Sequence, residues 1–418
     1  MTNEALRDRY RPRLADEPLG ELLAGVPAVL ITGPRAAGKT TSARRLAAET
    51  VQLDRAGAAA TFVADPDAAL LGRAEPLLLD EWQAVPGVLG AVKRAIDIDP
   101  RPGRFILTGS VRADLRGESW SGTGRIVRLA MSVLTQREVN GGDLIRPGFL
   151  DRLATMDVAS THSNGQLTVI DYAALAMRGW FPEVVDATSE RVRRAWLRSY
   201  LEQLVTKDVS ELIGATDPVK MGAYFEAMAL NTAGLAADAT LYQAAGISSS
   251  TAARYDELLA DLGIAVRVPA WATNRLQRLE KRAKRYLVDG GLVAAAAGFD
   301  VQGLLSDSDL LGRMIDTFVH TQLAPEATLA AHPVRLHHVR TAHGRQEVDL
   351  VAELPGGKVV GIEVKAASAV TRNDARHLAW LRDQLGVRFA AGVVLHTGPD
   401  TFELGDRLLA APISTIWA

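Results

Sequence analysis

Eight consecutive residues, Gly33-Pro34-Arg35-Ala36-Ala37-Gly38-Lys39-Thr40, read G-x-x-x-x-G-K-T. They follow the apolar run Val26 to Ile31 and precede a helix-like stretch, Thr41 to Glu49. Glycines at these spacings let backbone N–H groups turn inward around phosphate oxygens, and a helix N-terminus behind them favours negative charge. In that chemistry Gly33 to Thr41 cradle the phosphates, Lys39 reaches the outer phosphates and the Thr40 hydroxyl holds Mg²⁺. The bland alternative is a chance glycine turn. A second group stands about forty residues on, where Leu77-Leu78-Leu79 runs into Asp80-Glu81. Three leucines read as a buried parallel strand, and paired acids at its end are not a core feature. Asp80 suits a Mg²⁺ held through water, and Glu81 suits a group that orients or deprotonates an attacking water, as in-line phosphoryl transfer requires. A third strand, Phe105-Ile106-Leu107, ends in Thr108-Gly109-Ser110, polar groups placed to sense a terminal phosphate.

A further chemical group lies near the other end. Asp349 falls in Glu347-Val348-Asp349-Leu350-Val351, and Glu363 and Lys365 in Ile362-Glu363-Val364-Lys365. Residues two apart in a strand share a face, so Glu363 and Lys365 point the same way. A hairpin across Gly356-Gly357 brings Asp349 alongside. Two carboxylates there, Asp349 and Glu363, offer oxygen ligands for Mg²⁺, with Lys365 beside them to orient the water. The pattern D…E-x-K after a helix is that of the restriction-endonuclease-like nucleases. Two other readings stay open: a cross-strand ion pair, and an inherited nuclease fold without catalysis.

These residues need elements to position them. Residues 26 to about 135 alternate short apolar runs with helical stretches, as in a parallel α/β sheet. Gly141-Gly142 and Pro147-Gly148 punctuate the exit, and 143–215 reads as mainly helical. Tyr255, Leu258, Leu259 and Leu262 fall on one helix face, behind Ser248 to Ser250 as cap candidates. A shorter helix near Thr240 to Ala245 precedes it, and strand-like Ala265 to Val268 and Arg285 to Val288 follow. Helix, turn, helix and a two-strand wing form a winged-helix reading; a plain piece of helical bundle is the alternative. The last part reads as a helix, Leu310 to Leu323, then strands near 333–339, 347–352, 358–364 and 390–396, with a helix at 373–385. The expected fold class is therefore α/β in four parts. They are a P-loop parallel-sheet domain at 1–140, a helical lid or linker at 141–215, a winged-helix-like module at 216–300, and a small α/β/α nuclease-like domain at 301–418.

The 418 residues are 48% hydrophobic, enough for several cores, and contain no cysteine, which excludes disulfides, thiol catalysis and cysteine–zinc sites. The start, Met1 to Arg13, is charged and lacks the apolar core of a signal peptide; no apolar run approaches a membrane span. The expected location is the cytoplasm, with no membrane partner. A net charge of −2 places any DNA binding on a local patch. The candidate patch is Arg275, Arg278, Lys281, Arg282, Lys284 and Arg285, interrupted by Glu280. A solvated helix face with a Glu280–Lys284 pair is the bland alternative.

Taken together, the chain from about Tyr10 to about residue 370 resembles the prokaryotic AAA-like P-loop ATPases that carry a C-terminal domain of the DUF4143 group. The likeness rests on the glycine loop, on Leu79-Asp80-Glu81 with Gln83 and Pro86, and on Leu107-Thr108-Gly109-Ser110. It continues in Gly124-Arg125 with Leu129, Ser132 and Glu138, in Gly179-Trp180-Phe181-Pro182-Glu183, and in Trp196 to Asp208. Asp289-Gly290-Gly291-Leu292 and the Asp349, Glu363 and Lys365 segments complete it. The resemblance implies ATP and Mg²⁺ as cofactors. It also implies an arginine after the sensor strand, Arg125 or its competitor Arg112, that reaches a neighbouring subunit's γ-phosphate in a homo-oligomer; a solvated arginine is the alternative. Two residues depart from the pattern. Gly312 is followed by Asp316 where the family usually has Glu, so this upstream acid is expected to fall short by a methylene. Trp82 replaces an aliphatic residue, with no chemical consequence expected.

The leading expectation is a cytosolic Mg²⁺-dependent ATPase coupled to nucleic-acid binding or processing. The alternative is a nucleotide-dependent switch or regulator that binds DNA or a protein partner and carries an inactive nuclease-like domain.

Overall fold

The computed structural model describes residues 10–109, 124–158, 167–208, 217–271, 282–332, 334–341 and 345–418. Ser110, Arg112, Arg275, Arg278 and Lys281 lie outside the described residues. Two compact units form, one made chiefly of residues up to 134 together with 138–145, the other chiefly of 146–260 and 264–418. The expected boundaries at 215/216 and 300/301 both fall inside the second unit.

In the first unit five parallel strands, β1 (Ala28–Thr32), β2 (Glu49–Gln52), β3 (Leu77–Asp80), β4 (Phe105–Thr108) and β5 (Ile126–Ala130), lie in the order β2-β3-β4-β1-β5. β1, β3 and β4 are buried along their whole lengths, which is why they read as unbroken apolar runs rather than alternating ones. Leu30, Leu77, Leu79, Phe105 and Leu107 pack with Phe62, Val88, Val92 and Ile96 of the covering helices in one core. The register sets Ile31 against Thr108 and Thr108 against Asp80. The strand carrying the glycine loop, the sensor strand and the acid strand therefore end in one row.

The first helix after the glycine loop is short, Lys39–Arg44, and the chain then returns as edge strand β2. The sequence reading ran that helix on to Glu49. β2 is Glu-Thr-Val-Gln, with only Val51 buried, and such a polar edge strand carries little apolar signal.

The second unit begins with helices, among them Phe149–Ala154, Val169–Met177 and Glu190–Gln203, followed by Pro218–Leu230, Asp238–Ala244 and Ser249–Asp261. An antiparallel pair follows, β6 (Ala265–Val268) and β7 (Lys284–Leu287). The long helix Ser308–Leu329 starts at Asp307, whose carboxylate accepts from the Asp309 and Leu310 N–H groups. It leads into a six-stranded sheet of β8 (Arg335–Arg340), β9 (Glu347–Glu353), β10 (Val359–Lys365), β11 (Phe389–His396), β12 (Phe402–Gly405) and β13 (Leu408–Pro412). Its order is β12-β13-β11-β10-β9-β8, with β10, β11 and β13 parallel to one another and the other neighbours antiparallel.

The helix Arg376–Leu385 lies so close to this sheet that a Cβ on Gly361 would stand 2.7 Å from Leu378 Cδ2. β6 does not end as a free hairpin: the Trp271 N–H donates to the His338 carbonyl at 2.6 Å, and the His338 N–H to the Pro269 carbonyl at 3.1 Å. The segment after β6 is thus stitched to β8.

Candidate functional site

The first site is built at the C-terminal ends of β1, β3 and β4. Gly33 leaves β1 with φ +149°, and a Cβ there would sit 1.9 Å from the Met131 carbonyl oxygen, so only glycine fits. Gly38 opens the helix Lys39–Arg44 from the left-handed region at φ 93°. The Lys39 ammonium folds back on its own loop, donating to the carbonyls of Gly33 at 3.0 Å and Pro34 at 2.7 Å. Burial pushes its pKa down to about 8, against the pull of Glu81 and Asp80.

Thr40 Oγ1 donates to Asp80 Oδ1 at 2.7 Å, and Thr108 Oγ1 donates to the same oxygen at 2.5 Å. Arg44 stands 3.8 Å from the other Asp80 oxygen. Glu81 sits just past the strand in the left-handed region, φ 54°, and accepts a short hydrogen bond from the Gln83 amide. Burial, then the Asp80 charge, raises the Glu81 pKa against Gln83 and Lys39. Gly109 lets the sensor end pack closely, since a Cβ there would lie 2.7 Å from the Trp82 indole nitrogen and 2.6 Å from Gln83 Oε1. Trp82 itself is buried in the core cluster.

ATP and Mg²⁺ fit these residues. The loop has the glycine-bounded backbone and helix N-terminus that phosphates require, and two of its lysine's hydrogen bonds go to neutral carbonyls that phosphate oxygens can replace. The Thr40 hydroxyl and the Asp80 carboxylate form a pair of hard oxygen donors of the kind Mg²⁺ takes.

Sequence reasoning missed one supporting residue here. Arg13 is buried and donates to Glu138 Oε1 at 2.9 Å, to the Ala37 carbonyl at 2.7 Å and to the Ser132 carbonyl at 2.8 Å. It pins the glycine loop from outside the motif, and in a run of alternating arginines, Arg7, Arg9, Arg11 and Arg13, nothing local singles it out. Arg125, the expected finger, sits just before β5, whose first residue pairs with the first residue of β1. It is therefore at the opposite end of the strands from its own glycine loop, where Nε donates to Asp97 Oδ1 at 2.5 Å.

A second polar cluster forms in the other unit, where β7, the helix Ser308–Leu329, β9 and β10 meet. The β9–β10 ladder ends at Leu350–Ile362. Beyond it the Val364 N–H donates to Asp349 Oδ2 at 3.0 Å. Lys365 Nζ donates to Glu363 Oε2 at 3.1 Å. The three residues named from the sequence are thus brought together. Asp316 joins them through Lys284, which the sequence places in a basic surface segment. Lys284 Nζ lies 3.0 Å from Asp316 Oδ2 and 3.0 Å from Asp349 Oδ1. Tyr286 donates to Asp316 Oδ1 at 3.1 Å, and its ring stacks on His320 at 4.0 Å between centroids.

Burial works against charge on Lys284, but Asp316 and Asp349 overcome it and hold its pKa well above the usual value. Burial also works to raise Asp349, and the Lys284 and Lys365 ammoniums overcome it, leaving the pKa lowered. Glu363 is raised well above the carboxylate range by burial and by the Asp349 charge. A metal implied by the nuclease pattern does not fit this arrangement. No group of three or more His, Asp or Glu side chains among the described residues is set to hold an ion, and an ammonium already occupies the space between two of the acids.

The expected basic surface is also altered. Lys284 is internal, and Arg285 is drawn to Asp238 and Asp256, with Asp256 at 3.0 Å. No helix among the described residues is long and apolar enough to cross a membrane.

A family model described as an AAA domain matches residues 26–140, and domains of unknown function match 169–303 (DUF8612) and 311–416 (DUF4143). Uncharacterized proteins of Mycobacterium bovis and Mycobacterium tuberculosis are each 29% identical over 402 residues, spanning 95% of this chain and 82% of theirs. A solved structure, a Walker-type ATPase of Pyrococcus abyssi, aligns at a TM-score of 0.44 and 13% identity over 69% of this chain and 97% of that one. The chain thus contains an ATPase-like P-loop domain of the AAA kind, followed by a DUF4143 domain.

Proposed function

We propose that this chain is a Mg²⁺-dependent ATPase that acts as a nucleotide-dependent switch, and that its C-terminal nuclease-like domain recognises a partner without cutting it. The observation that carries the first part is the convergence of Thr40 and Thr108 on one oxygen of Asp80, with Glu81 next in sequence, at the mouth of the glycine loop. Bound Mg²⁺ would neutralise charge developing on the transferred phosphoryl group. Thr40 and Asp80 would hold it. Lys39 would leave its two loop carbonyls for the phosphates, and Glu81, half-buried and restrained by Gln83, would orient the attacking water and take its proton. A base with a raised pKa is better matched to that task at neutral pH.

The test is steady-state ATP turnover with Mg²⁺ and in chelator. Glu81→Gln should leave nucleotide affinity unchanged and lower kcat by about 10²–10⁴-fold, the usual worth of a positioned base. Turnover at the wild-type rate in Glu81→Gln would remove the assignment.

Cleavage of nucleic acid by Asp349, Glu363 and Lys365 is the reading we set aside, because Lys284 bridges Asp316 and Asp349 while Lys365 pairs with Glu363. Binding of DNA through the basic segment rests on Arg275, Arg278, Lys281 and Arg282, since Lys284 and Arg285 are committed internally.

A further inference from the structure

Lys284, Asp316, Asp349, Glu363 and Lys365 come from four different elements, and their polar atoms are nearly all accounted for. The Lys284 side chain is 3% exposed and bridges Asp316 Oδ2 and Asp349 Oδ1, each at 3.0 Å. The second oxygen of Asp316 accepts from Tyr286. The second oxygen of Asp349 accepts from the Val364 backbone. Glu363 gives Oε2 to Lys365 and leaves Oε1 buried with no partner, in a side chain only 4% exposed.

A hard divalent ion takes carboxylate oxygens at about 2.0–2.6 Å, whereas an ammonium nitrogen takes them at about 2.7–3.2 Å. Each bridges carboxylates, and one space between two acids cannot hold both. Charge supports the same conclusion. Two ionised aspartates balance two lysines, so the cluster is neutral when Glu363 holds a proton, the form that burial and the Asp349 charge favour. A divalent ion would add two charges to a buried, already balanced group, which is costly.

We propose that Lys284 is the resident cation of this cluster, standing where a metal ion would bridge Asp316 and Asp349, so that the domain takes up no divalent ion there while Lys284 is in place. This deepens the reading of a recognition domain that does not cut, and rests on it. Lys284 reaches the cluster from β7, outside the helix and sheet that carry the three acids. The acids thus keep the pattern of a metal site while a distant strand fills it.

Replacing the lysine by an uncharged chain of similar length, Lys284→Met, should leave two carboxylates and the orphaned Glu363 oxygen around an emptied space. That variant should acquire a cation site the wild type lacks. The probe is Mn²⁺, followed in the full chain without nucleotide by the loss of its free electron-spin signal and by thermal unfolding. Wild type and Asp349→Asn should bind the same amount of Mn²⁺. Lys284→Met should bind one equivalent more and unfold at a higher temperature as Mn²⁺ is raised, as expected for a ligand of the folded state. Lys284→Met/Asp349→Asn should lose both effects. Any weak Mn²⁺ binding at Thr40 and Asp80 is common to all four proteins and cancels.

Two results would overturn the inference. One is Mn²⁺ bound by the wild type and lost in Asp349→Asn; the other is a folded Lys284→Met that gains no site. If Lys284→Met does not fold, the wild-type and Asp349→Asn pair still decides. ATP turnover is read separately, so failure of the ATPase reading and failure of this one give different signatures.

Discussion

Two buried lysines face carboxylates at the ends of two sheets, and they are held in opposite ways. Lys39 is bound by neutral carbonyls of its own loop, and its charge is the less stable for it, with a pKa near 8. Lys284 is bound by two carboxylates and holds its proton well above the normal value. Desolvation disfavours charge at both positions; only at Lys284 do nearby charges outweigh it. A buried ammonium on neutral acceptors is ready to accept an anion. One between two acids is already the counterion, and removing it leaves charge stranded.

The largest expected effect that sharpens this contrast is on stability. Lys284→Met should destabilise the fold by about 3–5 kcal/mol in denaturant melts without divalent ion, the cost of breaking a buried ion pair. Lys39→Ala should leave stability at neutral pH unchanged or raised, because burial already disfavours its charge in the fold. The reverse order would break the comparison.

The next effect is on binding. Lys39→Ala should weaken Mg²⁺-ATP by about 10–100-fold, the worth of one charged hydrogen-bonding group, while Lys284→Met stays within about two-fold. A titration with a fluorescent ATP analogue reads both.

A smaller effect is protonic. In the free protein Lys39 is half-deprotonated near pH 8. Phosphates beside it favour the charged form, so its pKa rises on binding. Nucleotide binding should therefore put almost no proton onto Lys39 at pH 7 and a growing fraction of one as pH rises through 8 to 9. Calorimetry in buffers of different ionisation enthalpy measures that uptake, and Lys39→Ala should abolish its pH dependence. The same depression makes a stability statement. The folded pKa lies below the unfolded one, so Lys39 costs the apo fold progressively more stability as pH falls from above 10.5 through 8, and no further below that.

The smallest effect concerns Arg125. An exposed pair with Asp97 contributes little, and Arg125→Ala should change ATP turnover by no more than about two-fold. A loss of a hundred-fold or more would return it to the finger role expected from the sequence.

What was legible in the sequence was what local spacing encodes. The glycine loop, the leucine strand into Asp80-Glu81 and the hairpin bringing Asp349 toward Glu363 each follow from residues within a few positions of one another. The elements that escaped are those with no local signature. β2 is polar and lies at an edge, and β13 is a five-residue run of Leu, Ala and Pro that is buried only because the sheet covers it. Arg13 and Lys284 act across long stretches of sequence. Lys284 was also misleading in place, since five other cations lie within ten residues of it and a charge run normally marks a solvated face. The alternation along β7 held the clue: Lys284 and Tyr286 share one side and Arg285 the other.

That four-residue strand is also a connecting element. On one side Lys284 and Tyr286 fasten it to Asp316 and Asp349. On the other Arg285 fastens it to Asp238 and Asp256, from the helices Asp238–Ala244 and Ser249–Asp261. Asp256 is gripped as well by Arg267 and by the Tyr224 hydroxyl. The chain of contacts continues through β7 to the carboxylate of Asp349, whose other oxygen accepts from the Val364 backbone. One continuous set of charged hydrogen bonds thereby joins the two helices to the end of β10.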